Sequence, residues 1–467
     1  MISAAQTKAT PETPATPQDA LPFAARLRAA IHAMVAGGSD RTRTQRDAVI
    51  AFLVRCTSAA LLYLSQIALA RWMGSDQYGI YVFVWTCVLL AGALANLGLN
   101  LGIIRLIPVH RENGEIDKLR GLVHGGRLFS LVAGTAVAIA GMAGLWLLSP
   151  YISNDYAVAA YLGLVCVPLY VLTDVQDGIG RGNGWMAAAL IPPYVMRPLL
   201  ILLTMVAAHA LGLPMVATTA AKAAIISTWA TGIIQAIWIN TSMVTAYGRG
   251  TQRYEPRMWI VSSLPLLAIS GCEILLQNTD VLVLSRMTTP TDVAIYFAAG
   301  KTMSLIMFVH FAVGSAMANK FASFKARGDA QGLQASVADA VNWTFWPSLA
   351  AAIVILILGQ PLLSLFGPQY AAGYPVMAIL VVGFLSRSAM GPAEFLLNMQ
   401  GEQARCAAVM VAAATLDIVL NIVLVPKFGI TGAALATAAA LMTAAALNAW
   451  VAKQRLGLNV AIWHNVR

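Results

Sequence analysis

From residue 48 onward the chain repeats a single pattern: a mostly apolar stretch of about 20 residues, closed by a short polar or basic turn. Stretches of this kind run at 48–70, 79–101, 128–148, 157–175, 186–208 and 215–242, and again at 259–284, 292–317, 341–359, 374–396, 406–425 and 430–451. A segment of that length can cross a hydrocarbon layer as a helix. Helix is the only state open to a lone span, because lipid offers no partner for a backbone N–H or C=O. Charged residues make up 11% of the chain and hydrophobic ones 59%, against roughly 25% and 45–50% in a soluble domain. Too few charges remain to clothe a water-facing surface, so the sequence predicts an all-α polytopic membrane protein with about twelve transmembrane helices.

The net charge of +10 arises from 30 Lys and Arg against 20 Asp and Glu. Such a balance can signal nucleic acid, anionic lipid or membrane topology, and here the loops decide for topology. Arg41, Arg43 and Arg46 precede the first stretch, and Arg105, Arg111, Lys118, Arg120 and Arg127 lie between the second and third. Arg181, Arg249, Arg253, Arg257, Lys320, Lys325, Arg327, Arg405, Lys453, Arg455 and Arg467 fall on the same side, whereas the other side holds Arg71, Arg286 and Lys427. Basic loops mark the cytoplasmic face, so both termini are expected there and no nucleic-acid partner is expected.

Residues 1–46 differ in kind. The tract "TKATPETPATPQDA" is polar and Pro-rich, as in a disordered tail, and has no basic segment leading directly into an apolar core, as a signal peptide would. Phe23, Leu27, Ile31 and Met34 recur at helical spacing beside Arg26 and Arg28, which suits a short amphipathic helix on the cytoplasmic leaflet or an ordinary solvated segment. Cys56, Cys87, Cys166, Cys272 and Cys406 lie in or beside apolar stretches with no CxxC pair. They read as small buried hydrophobes, neither a disulfide framework nor a zinc site.

An internal repeat is visible without gaps. "LARWMGSDQYGIY" at 69–81 aligns with "LSRMTTPTDVAIY" at 284–296, keeping Leu, Arg, Ile and Tyr in register at the same turn of each half. The halves are thus parallel repeats, a six-helix bundle over 47–250 and a second over 251–456, followed by a cytoplasmic tail at 457–467. A substrate path in such an arrangement is expected between the bundles near the midplane.

Three stretches resemble the polysaccharide transporter and oligosaccharide flippase branch of the multidrug/oligosaccharidyl-lipid/polysaccharide exporter superfamily. They are "ALARWMGSDQYGIYVFVWTCVLLAGALANLGLNLGIIRLIP", "QNTDVLVLSRMTTPTDVAIYFAAGKTMSLI" and "NIVLVPKFGITGAALATAAALM". The similarity extends from about Asp47 to Leu456 and departs at Ala294, where the first copy has Gly79. The resemblance implies two six-helix bundles in a V-shaped, MATE-like arrangement, opened alternately to either side. It also implies a lipid diphosphate-linked oligosaccharide as cargo, the bacterial inner membrane as location, and other polysaccharide-synthesis proteins as partners beside the membrane lipids.

An ionisable group inside an apolar span costs roughly 2.5–3.5 kcal/mol on insertion scales, so each is a functional candidate. Arg55, Arg197 and Lys301 are the expected cavity cations, since a diphosphate in a low-dielectric site needs compensating charge and guanidinium forks match its oxygens. The competing reading is an ion pair that only pins helices, such as Arg197 with Asp417. Lys222, near a span end, is expected to snorkel. Glu273 and Asp280, seven residues apart on one face, are ion-coupling candidates together with Asp417, through H⁺ or Na⁺; countercharge to Arg55 or Lys301 is the alternative. Asp280 lies near a span end, where simple solvation would also explain it. Pro192 and Pro193 in the fifth stretch and Pro265 in the seventh are expected hinge points.

No catalytic residues, cofactor or metal site are expected. "GKT" at 300–302 lacks the glycine a phosphate loop needs at 295, "GIGRGNG" at 178–184 has no strand before it and reads as a flexible turn, and the six His show no ligand spacing. An ion-coupled multidrug exporter of the same superfamily is the alternative, and would want an acidic cavity. A major-facilitator carrier would want a different motif where this chain reads "IPVHRENGEIDKLRG", and a glycan polymerase or ligase a large outer loop.

Overall fold

The computed structural model describes residues 40–148, 150 and 154–465, with side chains at 40–53, 55, 56, 265, 268, 269, 319, 322 and 326 outside the description. The N-terminal segment over 1–39, and the side chains of Arg55 and Pro265, therefore lie outside the described residues. Contacts group Val54–Arg467 into one unit, distinct from Met1–Leu53.

Among the described residues there are helices and turns but no strands. The first half comprises α1 (Asp40–Asn96), α2 (Leu99–Glu112), α3 (Ile116–Leu148), α4 (Asn154–Asn183), α5 (Met186–Ile191), α6 (Arg197–Ala210) and α7 (Ala217–Tyr247). The second comprises α8 (Pro256–Met287), α9 (Pro290–Ser304), α10 (Met307–Arg327), α11 (Ala330–Ile357), α12 (Gly359–Ser364), α13 (Tyr374–Ala389), α14 (Ala393–Met399), α15 (Gln403–Leu456) and the short α16 (Ile462–Asn465). Among the described residues eight helical segments are long and apolar enough to cross a membrane, or nine if α9 and α10 form one bent span.

Two of these segments are hairpins. Gly74 in α1 and Gly429 in α15 have φ of 75° and 56°, a left-handed setting that glycine reaches without a Cβ clash. The Tyr78 hydroxyl donates to Gln66 Oε1 at 2.7 Å, although twelve residues of straight helix would separate the two by about 18 Å. Similarly, a Cβ on Gly432 would collide with the Leu424 carbonyl eight residues earlier. In both places the chain turns back on itself.

The halves meet most closely at the end that carries these hairpins. Ser75 and Thr291 hydroxyls lie 3.2 Å apart, Arg71 Nε donates to the Leu365 carbonyl at 2.5 Å, and Tyr63 packs edge-on against Phe366 with centroids 5.6 Å apart. One continuous core runs through both halves here, from Leu69 and Tyr78 to Leu284, Tyr370 and Ala433. At the opposite end, where the basic loops lie, the apolar cores are separate. One gathers Ile103, Leu119, Ile179 and Trp259, the other Phe321, Leu333, Leu397 and Val460. Helix α8 is the link between the halves at this end, its Ser263 set against Gly98 and Gly102. The loop before α3 lies outside the spans; there Lys118 and then His110 donate to Glu115, holding its carboxyl below the usual range.

The departure at Ala294 has a steric cause. A Cβ on Gly79 would overlap the Pro290 carbonyl of the other half, whereas Ala294 is simply buried in the core. Gly79→Ala is expected to destabilise the protein by about 1–3 kcal/mol, the usual range for overpacking, while Ala294→Gly loses about 1 kcal/mol or less. Thermal unfolding of both variants in detergent checks this; equal midpoints for Gly79→Ala and wild type would contradict the packing of this end.

The glycine-rich segment at 178–184 is not a flexible turn. Residues 178–183 complete α4 and are mostly buried, and Gly178 sits so close to Asn100 of α2 that only a residue without a side chain fits. Gly184 alone takes a left-handed φ. Pro192 and Pro193 do interrupt their helix, as expected from the loss of backbone donors. The hydrogen-bond register slips into a π-turn over Pro192–Met196, placing Arg197 at the start of α6. The segment after α15 folds onto α11, where Asn342 Nδ2 donates to the Asn465 carbonyl at 2.6 Å.

Candidate functional site: a two-lobed cavity between the halves

The packed hairpin end and the divided basic end leave a cavity with two lobes. The first, about 430 Å³, is walled by Tyr63, Trp85, Tyr170 and Arg197 from the first half and by Asn278, Phe297, Lys301 and Phe308 from the second. The other, about 490 Å³, lies within the second half among Glu273, Asp280, His310, Arg387 and Glu394. Phe297, Lys301 and Ser304 border both, so the lobes join at Lys301.

Two of the three expected cations come together here. The Arg197 guanidinium lies over Tyr170 at 4.9 Å and Trp85 at 5.7 Å from the ring centroids. The Lys301 ammonium lies 4.9 Å from the centre of Phe297. An aromatic face stabilises a cation by about 0.5–2 kcal/mol without neutralising it. The ion pairs among the described residues all involve other cations, so the expected alternative of Arg197 paired with Asp417 is not realised. Two cations from opposite halves thus face one apolar chamber. Arg55 falls in α1, its side chain outside the description. Lys222 is exposed in the second turn of α7, in keeping with a snorkelling role.

The carboxylates divide into two groups. Asp280 is 7% exposed, which removes the solvation reading: its Oδ1 accepts from the Val281 N–H at 2.8 Å, and the Tyr296 hydroxyl reaches both it and Thr437. Asp417 is fully buried, accepting from Asn421 Nδ2 at 3.1 Å, while its Oδ2 and Asn421 Oδ1 find no partner among the described residues. Tyr296 at Asp280 and Thr437 at Asp417 join the two acids through the contact between their hydroxyls, 3.2 Å. The result is an all-oxygen cluster on α8, α9 and both arms of α15, suited to a proton or a hard cation. Glu273, in contrast, is exposed into the second lobe and, among the described residues, receives a long hydrogen bond from Gln277, 3.4 Å. As expected from their spacing, Glu273 and Asp280 share one face.

Several residues escaped the sequence reading. Arg387, in the 374–396 stretch, pairs with Glu394 at 2.5 Å; a base seven residues before an acid inside an apolar run was the available signal. Asp174, inside 157–175, borders neither lobe but a small separate pocket, where it accepts from Asn96 and, at 3.3 Å, from Asn100. Trp85 and Tyr170 gave no signal, because aromatic residues are ordinary in a membrane span. Among the described residues no group of three or more His, Cys, Asp and Glu is placed to hold a metal ion.

The fold and cavity define a multi-pass, all-helical membrane protein built like the MATE transporters. The profile of the polysaccharide biosynthesis protein family matches residues 45–318, and the MatE profile matches 265–423. The chain belongs to the polysaccharide biosynthesis protein family. It is similar to the "Probable low-salt glycan biosynthesis flippase Agl15" of Haloferax volcanii, at 20% identity over 86% of this chain and 82% of the relative. Among solved structures it is similar to an inward-facing multidrug resistance MATE family transporter of the MOP superfamily, with TM-score 0.72 and 16% identity over 87% of this chain and 98% of that one. It is also similar to the lipid II flippase MurJ in its inward closed conformation, with TM-score 0.67 and 13% identity over 87% of each chain. At such identities the structures establish the fold.

Proposed function

We propose that the protein is a flippase that carries a polyprenyl diphosphate-linked oligosaccharide across the bacterial inner membrane for cell-surface or exopolysaccharide synthesis. It works by alternating access with both termini cytoplasmic, and crosses twelve times when each hairpin counts as two, α9 with α10 as one and α8 as one more. The observation that carries the reading is the pair of cations, Arg197 and Lys301, without a salt bridge among the described residues and presented from opposite halves to one apolar chamber. A diphosphate is a ligand that would draw the two together, and its binding would link the halves through charge. The contacts at the hairpin end and the divided basic end suit a form that loads cargo from the cytoplasmic side. The glycan flippase named among its relatives supports the same substrate class.

The protein performs transport and no covalent chemistry in this reading. Its driving ion, H⁺ or Na⁺, is taken up at Asp280 and Asp417. A second reading, ion-coupled export of amphipathic drugs, is favoured by the MatE match and by the acids of the second lobe. Deleting the protein separates the two. We expect a lipid-linked saccharide to accumulate on the cytoplasmic leaflet, readable by mass spectrometry of extracted lipids; unchanged lipids with new drug sensitivity would favour the exporter.

A further inference from the structure

We propose that the second lobe of the cavity is a subsite for an uncharged, hydroxyl-rich sugar, reached past Lys301 from the diphosphate site. The proposal rests on reading the cargo as a lipid-linked saccharide and says which part of it goes where. The lobe, about 490 Å³, falls in the usual size range of small-molecule sites.

Its walls set donors and acceptors side by side. Glu273, Gln277, Ser304 and Asn398 border the space and bring a carboxylate, two amides and a hydroxyl to it. An amide both donates and accepts, so the lobe is suited to a guest that does the same at several points. Vicinal hydroxyl groups do so. A phosphate supplies acceptors only, and an amphipathic drug few groups of either kind.

Two further features narrow the class. Phe311 and Phe395 meet edge to face with centroids 6.0 Å apart, giving an apolar wall against which sugar C–H groups can lie. Three carboxylates, Glu273, Asp280 and Glu394, stand against two cations, Arg387 and Lys301, and Lys301 is at the mouth. Arg387 is already held by Glu394 at 2.5 Å. The interior is therefore net acidic and disfavours a uronic acid.

The test uses the full chain in lipid nanodiscs and three probes: undecaprenyl diphosphate, the same lipid bearing a neutral N-acetylglucosamine disaccharide, and the same lipid bearing a glucuronate-containing disaccharide. The neutral sugar is expected to tighten binding at least about tenfold over the bare lipid, equivalent to 1.4 kcal/mol, and the glucuronate form to give no such gain. The double variant Glu273→Gln with Asn398→Ala is expected to lose the gain. If wild type binds the bare and the neutral glycosylated lipid equally, or if the variant keeps the full gain, the sugar subsite is wrong while the diphosphate reading stands. A wild type that binds none of the three lipids overturns the flippase reading itself.

Discussion

Arg197→Ala is expected to cut flipping of the lipid-linked saccharide by roughly 10- to 100-fold, with protein abundance and thermal midpoint nearly unchanged. A hydrogen bond to a charged group contributes about 1.5–3 kcal/mol, and each 1.4 kcal/mol is about tenfold in an equilibrium. Because the described residues offer Arg197 no carboxylate partner, its removal leaves no buried counter-charge behind; what is lost within the protein is the contact with Tyr170 and Trp85. Arg197→Lys keeps the charge without the bidentate fork and should recover part of the activity. Lys301→Ala should lie between, since an ammonium acts as a point charge. The measurement is the ratio of lipid-linked saccharide on the two leaflets of cells that carry each variant. Wild-type ratios in Arg197→Ala would remove the central support of the proposed function.

The membrane architecture was legible in the sequence because its signals are one-dimensional. Run length and loop charge act locally, and the 69–81 and 284–296 repeat marked the equivalent turn in each half. Charge inside an apolar run was equally visible, so Arg197, Lys301, Glu273, Asp280 and Asp417 could be singled out. Pairing was not. Arg387 with Glu394 and Asp417 with Asn421 depend on which helix faces meet, and helix rotation is not set by hydropathy when every face is apolar. The segment at 178–184 shows the same limit from another side. Its glycines look like a turn in a chain read locally, yet tertiary packing uses Gly178 for the close approach of α4 to Asn100.

Asp417→Asn is expected to separate stability from coupling. Asp417 is completely buried, and its Oδ2 has no hydrogen-bond partner among the described residues. A carboxylate there is a buried charge with no paired cation among those residues, and a neutral amide removes its desolvation cost, so the variant should unfold at the same or a higher temperature. The same charge is what a cation or a proton would compensate, so its loss should abolish the response to the ion. A ligand that binds only the folded state at 100 times its Kd adds about 2.7 kcal/mol of stability. Wild type should accordingly gain thermal stability on addition of Na⁺ if Na⁺ is the coupling ion, or on acidification if it is H⁺, and Asp417→Asn should gain none. Flipping should fall at least about tenfold, as a coupling step that cannot bind its ion cannot draw on the gradient; the tenfold corresponds to 1.4 kcal/mol. Asp280→Asn should behave alike, because Tyr296 at Asp280 and Thr437 at Asp417 link the two acids into one network. Variants that flip at the wild-type rate and remain sensitive to collapse of the gradient would place ion coupling elsewhere in the protein.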